Sequence, residues 1–369
     1  VKKKIAVLPG DGIGPEVIEQ AIKVLDALAD RFDHQFEYQF AEVGGVAIDN
    51  TGNPLPDATL EACLNTDAVL FGAIGHPKFD NDPSLKVRPE QGLLKLRKEL
   101  GLYANIRPVT TYKKLLHLSP LKEDKVDGVD LVIYRELTSG IYFGERGRNE
   151  DSAFDTCFYK AEEIDRIAHA AFKAAMHRRK IVTLVDKANV LDTSRFWRSR
   201  VQQLAKEYPE VTLNFMYVDN AAMQLIQYPK QFDVVLTSNM FGDILSDEAS
   251  VLTGSMGLLP SASIGLKTSL FEPIHGSFPQ AAGDDVANPM ATILSAAMML
   301  DEFGLQKEAR IIRTTIKHLL EKGIGTPELN SRITLSCSQV GDMLAHLIAE
   351  DISLDIGEDR LAEKISTII

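Results

Sequence analysis

Short apolar runs alternate with amphipathic helical segments along most of this chain, and that alternation restricts its fold more than any other feature. Strands are expected at 4–8, 68–72, 130–134, 181–185, 211–218 and 233–237. Helices are expected at 15–29, 89–100, 161–178, 195–207, 241–252, 287–303 and 305–322. Repeated strand–loop–helix units build α/β folds with much parallel sheet, because each parallel return needs a crossover and a helix supplies it. The 369 residues leave room for two domains. No internal repeat or long flexible linker interrupts the pattern. Two glycine-rich stretches, GSMGLLPSASIG (254–265) and HGSFPQAAGDD (275–285), read as long loops.

The first unit, IAVLPGDGIGPEV (5–17), has the order in which a dinucleotide-binding fold begins. Its spacing excludes the fingerprint. A G-x-G-x-x-G match from Gly10 needs glycine at 15, where Pro15 stands, and a match from Gly12 needs it at 17, where Val17 stands. Pro15 suits the first turn of a helix. Strand, loop and helix survive, but a Rossmann diphosphate cradle does not.

Composition bounds the partners. A net charge of −12 argues against general affinity for nucleic acid or anionic membrane. The basic clusters Lys2-Lys3-Lys4 and His177-Arg178-Arg179-Lys180 read as solvated flanks of a strand and a helix end. Cys63, Cys157 and Cys337 have no metal-ligand spacing, so reduced thiols and a cytoplasmic location are expected. No apolar stretch reaches the roughly 18 residues of a membrane span, and the N-terminal apolar run is too short for a secretory signal.

In open α/β folds ligands bind beyond the carboxyl ends of the strands. Arg135 follows DLVIY, Lys187 follows IVTLVD, Asp219 follows TLNFMYV, and Asp243 and Asp247 follow VVLTSN. Asp243 and Asp247, four apart, share a helical face, where like charges repel. The pair suits either a favourable helix N-terminus or a hard divalent ion such as Mg²⁺ or Mn²⁺. Arg97, Arg107 and Arg135 offer bidentate carboxylate recognition, although each alone is an ordinary ion-pair residue. Lys187 and Tyr142 are candidate proton carriers. Alone, such a Lys reads as an ordinary surface residue, such a Tyr as core packing, and His275 as a structural hydrogen bonder.

In order, these residues resemble the metal-dependent β-hydroxyacid oxidative decarboxylases, the isopropylmalate/isocitrate dehydrogenase family. The similarity runs through LPGDGIGPEV, PEQGLLKLRKELGLYANIRPV, RELTSGIYFGE, LVDKANVL, VDNAAMQL, NMFGDILSDEAS, GLLPSAS, EPIHGS and ANP. It implies a two-domain α/β fold with a mixed, largely parallel sheet that is not a Rossmann fold. It also implies a discontinuous first domain, 1–101 plus 254–369, a second domain, 102–253, and a homodimer with an intersubunit arm near 143–158. The implied reaction is NAD-dependent oxidation of 3-isopropylmalate, loss of CO₂ and reprotonation of the enolate. D-malate, tartrate or homoisocitrate are the alternative substrates. By resemblance, Arg97, Arg107 and Arg135 hold the malate carboxylates, and Asp219, Asp243 and Asp247 bind Mg²⁺ or Mn²⁺. Lys187 acts as base, Tyr142 supplies the proton, and Lys187 and Asp219 come from the partner subunit.

Substrate choice is expected at Glu90, Leu93 and Leu94, on one helical face, with Val190 and Asp219 also at the substrate; core packing is the other reading of the two leucines. The resemblance places the cofactor at Ile13, Asn189, His275, Gly276, Ser277, Gln280, Ala281 and Asn288. Gln280 departs from the family, whose NAD-dependent members carry Asp there and whose NADP-dependent relatives tend to carry Lys and Tyr at 280 and 281. A neutral amide still serves ribose hydroxyls, and Asp284 and Asp285 are expected to repel a 2′-phosphate. NAD is therefore favoured.

Overall fold

The computed structural model describes residues 1–80 and 85–350. It divides into two compact units, one formed by Val1–Leu100 with the chain from Ser255 onward, the other by Gly101–Gly254.

The first run gives β1 (Lys2–Gly10), α1 (Gly14–Phe32), β2 (Gln35–Phe40), α2 (Gly45–Thr51), α3 (Asp57–Leu64), β3 (Ala68–Ala73), α4 (Pro77–Asp80) and α5 (Pro89–Glu99). The middle run gives β4 (Leu102–Thr110), α6 (Glu123–Val126), β5 (Asp130–Glu136), β6 (Arg146–Arg148), β7 (Ala153–Asp155), α7 (Ala161–Met176) and β8 (Ile181–Asp186). It continues with α8 (Asp192–Leu204), β9 (Thr212–Tyr217), α9 (Val218–Gln227), β10 (Val234–Thr237) and α10 (Asn239–Ser250). The last run gives β11 (Pro260–Gly265), β12 (Ser269–Pro273), α11 (Met290–Glu302), α12 (Gln306–Glu321) and α13 (Cys337–Ala349).

In the first unit the strands run β2-β1-β3-β12-β11. All neighbours are parallel except β12 and β11. β3 is buried at every position, as a parallel strand covered on both faces must be. Helix α11, apolar nearly all round, lies in the core. The expected loop 254–265 is a strand from Pro260 onward, contrary to the sequence reading. PSASIG lacks branched apolar residues, yet its first four residues are buried and pair antiparallel with β12. Small side chains allow that close packing and also hide the strand from pattern reading.

In the second unit the order is β4-β5-β10-β8-β9. β4 is antiparallel to β5, and the remaining neighbours are parallel. Arg135, Thr237, Val185 and Met216 form one row across β5, β10, β8 and β9, so the carboxyl ends of these strands share an edge. Arg178 is not a merely solvated residue. Its Nε donates to the fully buried carboxylate of Asp233 at 2.8 Å and its Nη2 to Asp130 at 2.7 Å. A buried carboxylate needs such a partner. Residues 146–155 form the antiparallel hairpin β6–β7. Among the described residues, no helix is long and apolar enough to cross a membrane.

Candidate active site

The second unit gathers charged residues on one face of α10. Asn239, Gly242, Asp243, Ser246 and Asp247 recur at helical spacing, so they present together. On β4, Asn105 stands opposite Arg135 of β5, and Arg107, two residues on, shares its face. Arg135 is almost fully buried. Its Nε donates to the Asn239 carbonyl at 3.0 Å, its Nη2 to Asn239 Oδ1 at 3.0 Å, and its Nη1 to Asp243 Oδ1. Gly242 makes this approach possible, because a Cβ there would stand 2.6 Å from Arg135 Cγ. Arg107 donates from Nε to Asn105 Oδ1 at 2.8 Å and from Nη1 to Ser246 Oγ and Asp247 Oδ1, both at 2.9 Å.

Tyr142 completes the cluster. Its hydroxyl donates to Asp243 Oδ2 at 2.9 Å. Burial and the neighbouring Asp243 push the phenol pKa above its usual value, against the pull of Arg135. The hydroxyl therefore stays protonated through neutral pH. Its loop is tied down by Glu136, a buried carboxylate that accepts from the backbone N–H groups of Thr138 and Ser139 at 2.7 and 2.9 Å.

Lys187 stands just past β8 and donates to Asp219 Oδ1 at 2.7 Å. That hydrogen bond holds the Asp219 carboxyl below its usual pKa. Asp219 lies just past β9, in the first turn of α9, where an anion is favoured. Asp186, just before Lys187, accepts two hydrogen bonds from Arg198, at 2.6 and 3.0 Å. The guanidinium also stacks on Phe215 and Tyr217. Asn189 and Val190, on the same turn, are exposed. Among the described residues, the group of three potential ligands gathered within 4.8 Å is Glu16, Asp285 and Cys337. One chain therefore does not collect Asp219, Asp243 and Asp247 that closely. An apolar cavity of about 330 Å³ in this unit is lined among others by Ile141, Cys157, Tyr159, Trp197 and Phe241.

The first unit carries the remaining candidates. On α5, Leu94 is 57% exposed and Leu93 half-buried, so neither is a core residue, and Glu90 is exposed beside them. Arg97 Nη2 donates to Glu272 at 2.8 Å, and its Nε is buried without a partner among the described residues. The loop after β1 is tied into the protein's own backbone. Asp11 accepts from the backbone N–H groups of Gly45, Val46 and Gly75 at 2.8, 3.0 and 2.9 Å. Ile13 N–H donates to the Ser277 carbonyl at 2.8 Å, and a Cβ on Gly12, at φ +59°, would lie 1.9 Å from that oxygen. PGDGIG is thus the bed on which segment 275–288 rests. Ile13 and Ala281 are buried together in that contact, while Gly276 and Gln280 are exposed.

His275 Nδ1 lies 2.9 Å from the Gly276 carbonyl, an acceptor only, so Nδ1 carries the proton. Nε2 is then a lone-pair acceptor, buried without a partner among the described residues. Burial pushes the imidazole pKa below its ordinary value. Asn288 is engaged at both ends of its amide, donating to Glu328 at 2.9 Å and accepting from Met290 N–H at 3.0 Å. Asn239, Glu136, Glu272 and Asp11 escaped the sequence reading. Only Asn239, at the strand-to-helix junction TSN, carried a local signal.

The family model for isocitrate/isopropylmalate dehydrogenase matches residues 4–344. The 3-isopropylmalate dehydrogenase of Bacteroides fragilis is 56% identical over 88% of this chain and 92% of its own length. That of Priestia megaterium is 53% identical over 95% of this chain and 97% of its own. Among solved structures, isocitrate dehydrogenase from Methylococcus capsulatus superposes with a TM-score of 0.81 at 33% identity, over 94% of this chain and 99% of that one. A β-decarboxylating dehydrogenase from Thermococcus kodakarensis gives 0.80 at 36%, over 96% and 98%.

Proposed function

The chain belongs to the isocitrate/isopropylmalate dehydrogenase family, and from that premise we propose that it oxidatively decarboxylates 3-isopropylmalate to 4-methyl-2-oxopentanoate in leucine biosynthesis. The observation that carries this reading is the Tyr142–Asp243–Arg135 cluster with Arg107 and Asp247 beside it. It combines a protonated hydroxyl, two guanidinium groups and two hard oxygen ligands on one helix face.

The residues fit the two groups that the reaction requires. Asp243 and Asp247 offer carboxylate oxygens alone, the donor set of Mg²⁺ or Mn²⁺, and the Asp247 side chain is 72% exposed. His275 Nε2 offers an unsatisfied acceptor suited to an amino N–H donor such as that of adenine. Exposed Gln280 and Asp284 fit ribose hydroxyls better than a 2′-phosphate, which favours NAD. When bound, the nicotinamide takes up hydride from C2 and the divalent ion polarises oxygens of the substrate.

The chain's own groups do the rest. Arg107 and Arg135 bind the substrate carboxylates. Lys187 Nζ takes the proton of the C2 hydroxyl, with Asp219 orienting it. After CO₂ leaves C3, Tyr142 Oη delivers a proton to that carbon. Leu93 and Leu94 receive the isopropyl group, and an additional carboxylate, as in isocitrate, would be stranded against them.

The active form is a homodimer in which Lys187 and Asp219 of one copy serve the Asp243–Asp247 pair of the other. Met223 on α9 and Ile244 on α10 are more than half exposed, as are Phe143, Phe154 and Phe158 along the hairpin segment. Apolar surface of this kind marks an interaction face. The test is NADH formation with 3-isopropylmalate against D-malate and isocitrate in the presence of Mg²⁺. A clear kcat/KM preference for 3-isopropylmalate, abolished by EDTA, is expected. A preference for either of the others refutes the substrate assignment.

A further inference from the structure

The segment between β12 and α11 is fastened on two sides by carboxylates that the chemistry above does not use. Glu16, in the first turn of α1, accepts from the backbone N–H of Gly283. Asp285 sits at φ +55°, a left-handed conformation that Asp tolerates better than most residues. Its Oδ1 accepts from the Ser338 N–H at 2.7 Å, its Oδ2 from the Ser338 hydroxyl at 2.6 Å, and its carbonyl from the Cys337 N–H at 2.9 Å. Ser336, Cys337 and Ser338 open α13, whose first N–H groups lack acceptors within the helix. Ser336 satisfies one of them, that of Gln339, through its own side chain.

Asp285 is thus a second cap for α13, lent by the loop, and its charge complements the helix dipole. Burial works to raise its pKa, but hydrogen bonds from Ser336 and Ser338 outweigh it and keep the carboxyl below its usual value. Between the two fastenings Ile13, Val17, Ala281, Ala287 and Cys337 pack as one apolar cluster. The sequence suggested that Asp285 repels a 2′-phosphate. Its carboxylate is instead turned onto α13.

We propose that Asp285, with Glu16 opposite it, is a positioning residue that fixes segment 275–288 in the shape that receives the dinucleotide. The inference rests on the reading of that segment as the cofactor grip. Asp285 acts through the loop, not by touching the ligand. A loop released from α13 spends less time in the competent shape, and apparent affinity falls by that fraction.

Asp285→Gly separates clasp from strain, because glycine accepts φ +55° freely while both side-chain bonds are lost. For D285G the KM for NAD⁺ is expected to rise about 5- to 30-fold, with kcat and the KM for 3-isopropylmalate within about twofold. D285N keeps an acceptor for the Ser338 N–H and tolerates the backbone angle, so it restores most of the affinity. S338A, which removes one donor from the opposite side, moves KM in the same direction by about two- to fivefold. An unchanged NAD⁺ KM in D285G and S338A overturns the inference, and so does an equal loss in kcat and both KM values. Wild-type turnover keeps the two claims apart. A wild type that forms no NADH refutes the functional reading and the clasp with it, whereas a turning-over wild type beside an unaltered D285G refutes the clasp alone.

Discussion

His275 shows how much chemistry one side chain can carry without a local signal. In the sequence it is a lone histidine between Ile274 and Gly276. In the structure the Gly276 carbonyl fixes its tautomer and leaves Nε2 free to accept. Burial lowers its pKa from 6.5, so the folded protein binds fewer protons than the unfolded chain between the two values. The stability from this neutral imidazole is complete above pH 6.5 and is lost as pH falls from there through the folded pKa. The KM for NAD⁺ should therefore stay level from about pH 8 down to about 6.5 and climb only below it. Initial rates across that range, with folding checked by circular dichroism, decide the matter. A midpoint at or above 6.5 contradicts this role for Nε2. Tyr142, Lys187 and the aspartates could be proposed from the sequence because they follow strand ends. Glu136 and Glu272 gave no such signal, because a supporting residue is defined by what the fold brings to it.

At the scale of elements, α10 and the turn after β8 carry most of the proposed chemistry. The Asp243–Asp247 spacing announced a shared face, and the helix provides it. The spacing could not say that Arg135 and Arg107 come from β5 and β4, because an antiparallel register is a long-range property. Nor could it say that Lys187 donates to Asp219, or that Asp219, Asp243 and Asp247 do not gather within 4.8 Å of one another in one chain. In the homodimer proposed above, exchange between copies would supply the missing ligands. Two single variants, Asp243→Asn and Lys187→Met, should each be nearly inactive. After subunit exchange of an equal mixture, half the dimers are hybrids with one intact site, so activity should recover to about a quarter of wild type. Recovery is read by NADH formation, and exchange is verified by mass-tagged subunits. Exchanged but inactive hybrids would mean that each site is built within one chain.

Across the whole molecule, the α/β class was legible because strand and helix periods differ and alternate. The Rossmann reading failed on two positions, Pro15 and Val17, and the structure gives the reason to abandon it: PGDGIG is occupied by Asp11's backbone contacts and by Ser277. β11 stayed hidden because Ser and Ala packed at close quarters look like loop residues. The division into two units joins distant segments of chain, 1–100 and 255 onward.

The central claim is oxidation at C2 followed by loss of the carboxyl on C3. It is tested most directly with 3-isopropylmalate labelled with ¹³C in that carboxyl, measuring labelled CO₂ against NADH with Mg²⁺ present. The account predicts one labelled CO₂ for each NADH. NADH formed while the label stays in the organic product would contradict it.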